Sequence, residues 1–171
     1  MAGSTGRTVE TESGASPRSV GAFEWLARAQ QEPLYACREW DDHGWALLPL
    51  GARFNTVCLE AHIVHTAVGS NDLDTVKATL VELLDGPVIH NPAQKLYYPL
   101  VNVSPVARWP YREGAPMLGF GHFLSVPAPG RTGPTGHHWA VPPRIVGNVC
   151  AVSAVAALVA LGLRPSVREV R

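Results

Sequence analysis

Residues 149–161 read VCAVSAVAALVAL, a stretch with one hydroxyl and no charge. A helix made from it has no polar face, so it must be covered on several sides by its own domain or by a shared interface. Asn148 stands where a cap would be and Gly162 where a stop would be, which predicts a helix over about Val149–Leu161. The run is too short to cross a membrane, which takes about 20 apolar residues. The chain has to supply the cover itself, and 171 residues suffice. A chain of this length buries roughly 70% of its unfolded surface without help from disulfides or metal.

Composition narrows the class further. Hydrophobic residues make up 46% and charged residues 16%, which excludes disorder as the main state. Fourteen basic and fourteen acidic residues give zero formal charge, which removes the electrostatic argument for nucleic acid or a membrane surface as partner. Cys37, Cys58 and Cys150 are widely spaced and form no CxxC pair, so neither a zinc knuckle nor a disulfide framework is expected, and reduced thiols point to the cytoplasm. Met1–Gly21 is rich in Gly, Ser, Thr and Glu, without the apolar stretch of a secretory signal, and reads as a disordered tail. The folded domain is expected over residues 22–163, followed by a short basic tail at 164–171 with Arg164, Arg168 and Arg171.

Local signals predict a mixed order of elements. A short helix is expected from about Ala22 to Gln31, and a second from Pro33 to before Gly44. The apolar run Trp45–Leu50 and the following Phe54–Leu59 read as two strands joined by a turn at Gly51-Ala52, with Pro49 marking an edge strand. Ala61–Val68 reads as a helix broken at Gly69. A clearer helix over Leu73–Leu84 is capped by Ser70 or Asn71, with Leu73, Val76, Leu80, Leu83 and Leu84 on one face. Val88–His90 and Leu96–Val103 form a hairpin. Ser104–Trp109 reads as a short helix, and Phe120–Val126 and His137–Val141 as further strands. This order makes the fold α+β, a mostly antiparallel sheet with flanking helices.

Chemical motifs are sparse. His62 and His65 share a helix face, and His90 or His137-His138 could add ligands, but no carboxylate or thiol stands at ligand spacing, so no metal site is expected. His137 and His138 alternate across a strand and cannot face one site together. There is no G-x-S-x-G elbow and no phosphate loop. Cys58 lies in an apolar strand that should raise its pKa. Cys150 at a helix start is slightly better placed for a thiolate, although a buried structural cysteine is the expected reading.

The segments WALLPLG, FNTVCLE, GPVIHNPAQKLYYPL and GHFLSVPAPGRTGPTGHHWAVP together resemble the bifunctional DNA primase/polymerase (prim-pol) domain of the archaeo-eukaryotic primases. They are closer still to its short stand-alone relatives in high-GC bacteria, a bias that the twelve Arg against two Lys also suggests. Val126-Pro127, Pro129-Gly130, Gly136 and Trp139 carry the late part of the resemblance, which spans about Trp25 to Leu163. It implies a prim-pol-like fold. It would also imply two divalent ions held by paired acids, one residue apart at the end of the second strand, acting on the attacking 3′-hydroxyl and the leaving pyrophosphate. Here that place reads Cys58-Leu59-Glu60, so only Glu60 keeps an acid. The family's histidine in the second hairpin strand has no match in Lys95–Leu100; His90 lies on the strand before it. Between Phe54 and Ala107 the only basic residues are Lys77 and Lys95, too few for a groove that follows a phosphate backbone.

Three functions therefore stay open. The favoured one is a non-catalytic prim-pol-like binding or regulatory module, with a protein partner or a second copy engaged through aromatics among Tyr35, Trp40, Trp45, Tyr97, Tyr98, Trp109, Tyr111 and Trp139, of which two or three are expected to be exposed. The second is residual nucleotidyltransferase activity using Glu60 with Mg²⁺ or Mn²⁺ and acids such as Asp41 or Asp42. The third is single-stranded nucleic-acid binding by stacking on Tyr97 and Trp139, with Arg108, Arg112, Arg131 and Arg144 on the phosphates. Neither the first nor the third requires a cofactor.

Overall fold

The structure, a computed structural model, describes residues 16–164, so the expected tail over residues 1–15 and the basic residues after 164 lie outside the described residues. The elements run α1 (Pro17–Ala27), α2 (Pro33–His43), β1 (Trp45–Pro49), β2 (Asn55–Val57), β3 (Leu59–Glu60), α3 (Ala61–Val68), α4 (Leu73–Leu84), β4 (Val88–Asn91), β5 (Leu96–Val101), a 3₁₀ turn (Val106–Arg108), β6 (Met117–Leu118), β7 (Phe123–Pro127), β8 (His138–Val141) and α5 (Val152–Gly162). A central sheet has the order β6-β2-β5-β4-β8, with the short β3 also pairing β5, and every ladder in it is antiparallel. The fold class is α+β with a mostly antiparallel sheet, as the order of elements predicts. Among the described residues no helix is long and apolar enough to cross a membrane.

Two apolar cores lie against this sheet. The first joins Val64 of α3, Val76, Leu80 and Leu84 of α4, and Val155, Leu158 and Val159 of α5 to the sheet residues Val57, Val88, Tyr97 and Val101. The second joins Leu26 of α1, Trp40 of α2, Ala46 and Leu48 of β1 and Val126 of β7 to Phe54, Ile89, Leu100 and Trp139. Side chains alternate across a strand, so neighbours such as Val88 and Ile89, or Val101 and Leu100, serve opposite cores.

Several helix boundaries follow from local chemistry. Pro33 occupies the first turn of α2, and Gly44 ends that helix with φ 77°. Gly69 ends α3 in the same left-handed region. The cap of α4 is Asp72, not Ser70 or Asn71: its carboxylate accepts from Thr75 N at 3.0 Å and from Thr75 Oγ1 at 2.7 Å. The Ser70 hydroxyl instead accepts from Asp72 N. Leu83 faces solvent while Val76, Leu80 and Leu84 face the core.

Other expectations are corrected. α1 begins at Pro17, five residues inside the expected tail, because the Ser16 hydroxyl and the proline after it form a competent helix start. The same helix ends at Ala27, short of Gln31. β1 and β2 do not form a hairpin. Gly51 and Phe54 close a turn that sends the chain onward, and β1 pairs antiparallel with β7 in a separate two-stranded ribbon, from Trp45↔Pro127 to Pro49↔Phe123. The difference lies in the burial pattern. β1 alternates exposed and buried residues, as a ribbon with one wet face must, whereas all three residues of β2 are buried inside the central sheet. The expected helix at Ser104–Trp109 is one 3₁₀ turn with Pro105 as its cap, β7 starts at Phe123 and not Phe120, and the two-residue β6 has no periodicity from which to be read.

The terminal helix starts three residues later than expected. Cys150 N donates to Leu100 O at 2.7 Å in a bridge to β5, so this residue is held extended and Ala151, not Asn148, precedes the helix. Val155, Leu158, Val159 and Gly162 point inward, confirming burial within the domain. The outer strip is Ser153, Ala157 and Leu161, two of them too small to expose much apolar area. At Gly162, α5 approaches α3 so closely that an added Cβ would collide with the Ile63 carbonyl oxygen. Because the obstacle is backbone, Gly162→Ala should cost about 1–3 kcal/mol, as overpacking does. A urea melt should show a lower midpoint at an unchanged m-value; an unshifted midpoint would mean that the two helices separate freely.

Candidate functional site

Cys58 lies between β2 and β3, its N–H bonded to Pro116 O at 2.9 Å. Burial pushes its thiol pKa up, opposed by a hydrogen bond with Tyr98 and reinforced by the charge of Glu60. Glu60 is exposed at the start of α3, and its Oε2 lies 3.2 Å from His62 Nδ1. Asp41 and Asp42 are exposed on α2, which packs on β1 rather than on the segment that carries Glu60. Among the described residues, no three His, Cys, Asp or Glu side chains are grouped so that they could hold a metal ion. Cys150 is fully buried and its thiol is pushed up to about 12, chiefly by burial, so it is structural.

The structure assembles a polar cluster that the histidine spacing did not foreshadow. On the face of the sheet toward α3 and α4, His90 pairs directly across from Tyr97 on one side and from His138 on the other. The His90 and Tyr97 rings stack in parallel with centroids 4.0 Å apart, and His138 meets His90 edge-on at 5.0 Å. His65 Nε2 lies 3.1 Å from the Tyr97 hydroxyl. His62, the expected partner of His65 in a metal pair, turns instead to Glu60, and His137 bonds Ser125 O. His90 is 4% exposed and His138 1%, and neither His90 Nδ1 nor His138 Nε2 has a hydrogen-bond partner. Burial, then the charge of His138 and of more distant His and Lys groups, holds the His90 pKa down to about 4, so the ring is neutral at pH 7. With His90, Tyr97 and His138 all buried, the stack serves the core.

The residues expected to hold nucleic acid are not brought together. Tyr97 and Trp139 are fully buried and offer no ring face to a base; the Trp139 indole donates to Pro127 O at 3.1 Å inside the second core. Sequence position on a strand does not disclose which face is covered, and here both faces of the central sheet are. Arg108 is exposed on the 3₁₀ turn beside Arg112. Arg131 lies against Gly44, where its guanidinium occupies the space a Cβ would need. Arg144 is paired with Asp85 at the rim of a cavity of about 730 Å³, which is also lined by Arg18. These arginines belong to separate sites and do not line one groove.

No protein-family model, curated protein or solved structure matches this chain. Its function must be argued from its own surfaces.

One surface is unusual. The outer face of the β1–β7 ribbon carries Trp45, Leu47 and Phe123, all exposed. His43 stacks on Trp45 with centroids 5.6 Å apart. Between this ribbon and the β4–β5 hairpin lies a groove of about 340 Å³, whose walls include Trp45, Phe123, Leu118 and Tyr98. Between Leu118 and Phe123 in the chain, both of which wall this groove, Phe120 is 92% exposed. It stands on the turn Gly119–His122, closed by His122 N to Gly119 O at 3.1 Å, and Gly121 at the third position has φ 92°, as a type II turn requires. The turn backs onto Gly51, where any Cβ would strike the Phe120 backbone. Phe120 is thus a large apolar side chain held out from a fixed turn. The free edge of β1 is blocked: Leu47 N donates to Glu39 Oε2 at 2.6 Å and Leu47 O accepts from Gln30 Nε2 at 2.9 Å. These two side chains take the place of a neighbouring strand, so the ribbon offers its face and not this edge. Two of the aromatics expected at an interface, Tyr35 and Trp45, are exposed; Phe120 and Phe123 were not singled out, although the local sequence Gly-Phe-Gly-His-Phe carries the turn signal that displays them.

Proposed function

We propose that this chain is a non-catalytic binding module on a prim-pol-like fold, acting in the cytoplasm through the aromatic face of the β1–β7 ribbon. The observation that carries the reading is Phe120, 92% exposed on a braced turn between Leu118 and Phe123, which wall a groove with Trp45 and Tyr98. Clusters of exposed aromatics around a pocket are what interface hot spots are made of, and contiguous apolar patches of a few hundred Å² mark interaction sites.

The site residues support the same reading. Cys58 stands where the prim-pol resemblance requires one of two acids, and a thiol that burial keeps protonated is a poor ligand for Mg²⁺ or Mn²⁺, which take oxygen. Glu60 is left with His62 as its neighbour. Nucleic-acid binding loses its two stacking residues, Tyr97 and Trp139, to the core. The free thiols Cys37, Cys58 and Cys150 suit a reducing compartment.

The purified chain, given primed template, nucleotides and Mn²⁺, is expected to yield no product above a control without protein. Extension that disappears in Glu60→Ala would overturn the reading and restore a nucleotidyltransferase.

A further inference from the structure

We propose that the partner on this face is a second copy of the same chain, which forms a two-fold symmetric dimer with Phe120 of each copy seated in the groove of the other. The inference rests on the reading of the ribbon face as a binding surface and names its occupant.

Three observations point to self-association. The first is shape. A two-fold interface presents one patch to itself, so a projection and the recess that receives it must lie on the same patch. Phe120 is the projection, and the recess is walled by Leu118 and Phe123 of the same segment together with Trp45 and Tyr98. Leu118 and Phe123 lie just before and after Phe120 in the chain, so projection and recess belong to one continuous segment.

The second is charge. A face that meets its own copy doubles every charge it carries, and like charges brought together disfavour association. Among the described residues, no Lys, Arg, Asp or Glu lines the groove. Its polar residues are Asn91, Gln94, Ser125 and His137, and burial lowers the His137 pKa, which disfavours its charged form. The whole chain has zero formal charge, so two copies approach without long-range repulsion. A nucleic acid or a strongly charged peptide would find no counter-charge here.

The third is area. On the ~150–250 Å² scale of a fully buried aromatic side chain, the exposed parts of Trp45, Leu47, Phe120 and Phe123 supply roughly 400 Å² of apolar surface per copy. That is the apolar centre of an interface of about 800 Å² per partner, the standard size for a specific complex, once a polar rim is added. Because the Gly119–His122 turn is braced on Gly51, Phe120 loses little freedom when it docks.

Sedimentation or light scattering on the full chain should show mass rising from 18.3 kDa toward twice that value between about 1 and 100 µM, the range in which a modest interface populates. Thermal melting should move upward over the same range, since dimerisation stabilises by mass action. Phe120→Asp, at a position that makes little contact within its own copy, should stay folded with an unchanged circular dichroism spectrum, remain at 18.3 kDa and melt at one temperature at every concentration. Phe123→Asp should do the same. A wild-type chain that stays monomeric throughout would overturn the dimer, as would a dimer that survives both substitutions. Such a result without primer extension leaves the non-catalytic reading standing, and extension by a monomer defeats both, so the two failures are told apart.

Discussion

Leu158→Asp is expected to leave no soluble folded chain. Leu158 is 1% exposed and lies in the first core with Val155 and Val159 of its own helix, Val64 of α3 and the sheet residues Val57 and Tyr97. A carboxylate placed there has no cationic partner within that apolar cluster, and an unpaired ionised group in such surroundings is among the most destabilising changes a core can receive. The milder Leu158→Ala should cost about 2–5 kcal/mol, depending on how far α3 and α5 can collapse into the vacated space. Their freedom to do so is small, because Gly162 already brings the two helices to backbone contact at Ile63. A denaturant melt of Leu158→Ala should show the lower midpoint, and size-exclusion chromatography should show an oligomeric state equal to that of wild type, since the helix lies apart from the ribbon face. A folded Leu158→Asp chain of unchanged size would place the helix at the surface and contradict its packing against α3.

Acidification should have the next largest effect. The His90 pKa is held at about 4 in the folded chain against an ordinary value near 6.5, first by burial and then by the charge of His138 and other basic groups around it. The unfolded chain therefore binds more protons in this window, and stability rises with pH wherever that holds. The His90 contribution is fully present above about pH 6.5, is lost at about 1.4 kcal/mol per pH unit as the pH falls, and is exhausted near pH 4. The total is roughly 3 kcal/mol, a large fraction of the stability of an ordinary domain. His65, His137 and His138 are lowered in the same direction and add slope of the same sign. Asp72, held below its ordinary value by its bonds from Thr75, acts only at lower pH, where its carboxylate begins to protonate. Urea melts between pH 7.5 and 4 should show this decline, and His90→Phe, which keeps a flat ring against Tyr97, should lose most of it. An equal slope in wild type and His90→Phe would show that the stack does not govern acid stability.

The stack also shows where sequence reading stops. That His90 faces Tyr97 is within reach of the sequence, because the turn between Asn91 and Leu96 sets the hairpin register and pairing can be counted outward from it. That His138 closes the other side depends on β8 choosing β4 as its neighbour. No local pattern states that choice. The same contrast runs through the site. That a thiol at Cys58 precedes the acid Glu60, with few basic residues around them, is a fact of the sequence. Whether Tyr97 and Trp139 are stacking platforms or core is not: each is an aromatic on a strand, and only the layers on both sides of the sheet remove it from solvent.

What the sequence by itself determined is what short-range chemistry controls. Pro33 and Gly44 bracket α2, Gly69 breaks α3 from the next helix, and the apolar repeat at Val76, Leu80 and Leu84 sets the buried face of α4. The unbroken apolar run of α5 demanded a covering that its own domain provides. Each of these rests on sterics, a cap or a periodicity within one or two turns of chain. Tertiary structure alone decided that β1 leaves its sequence neighbour β2 to pair with β7, that Cys150 joins β5 before the helix begins, and that Trp45 and Phe123 meet around one groove with Leu118 and Tyr98. Those outcomes weigh burial and strand pairing across the whole chain at once. The gain from a pair of distant strands depends on every other pairing that it forbids, so no window of sequence holds it.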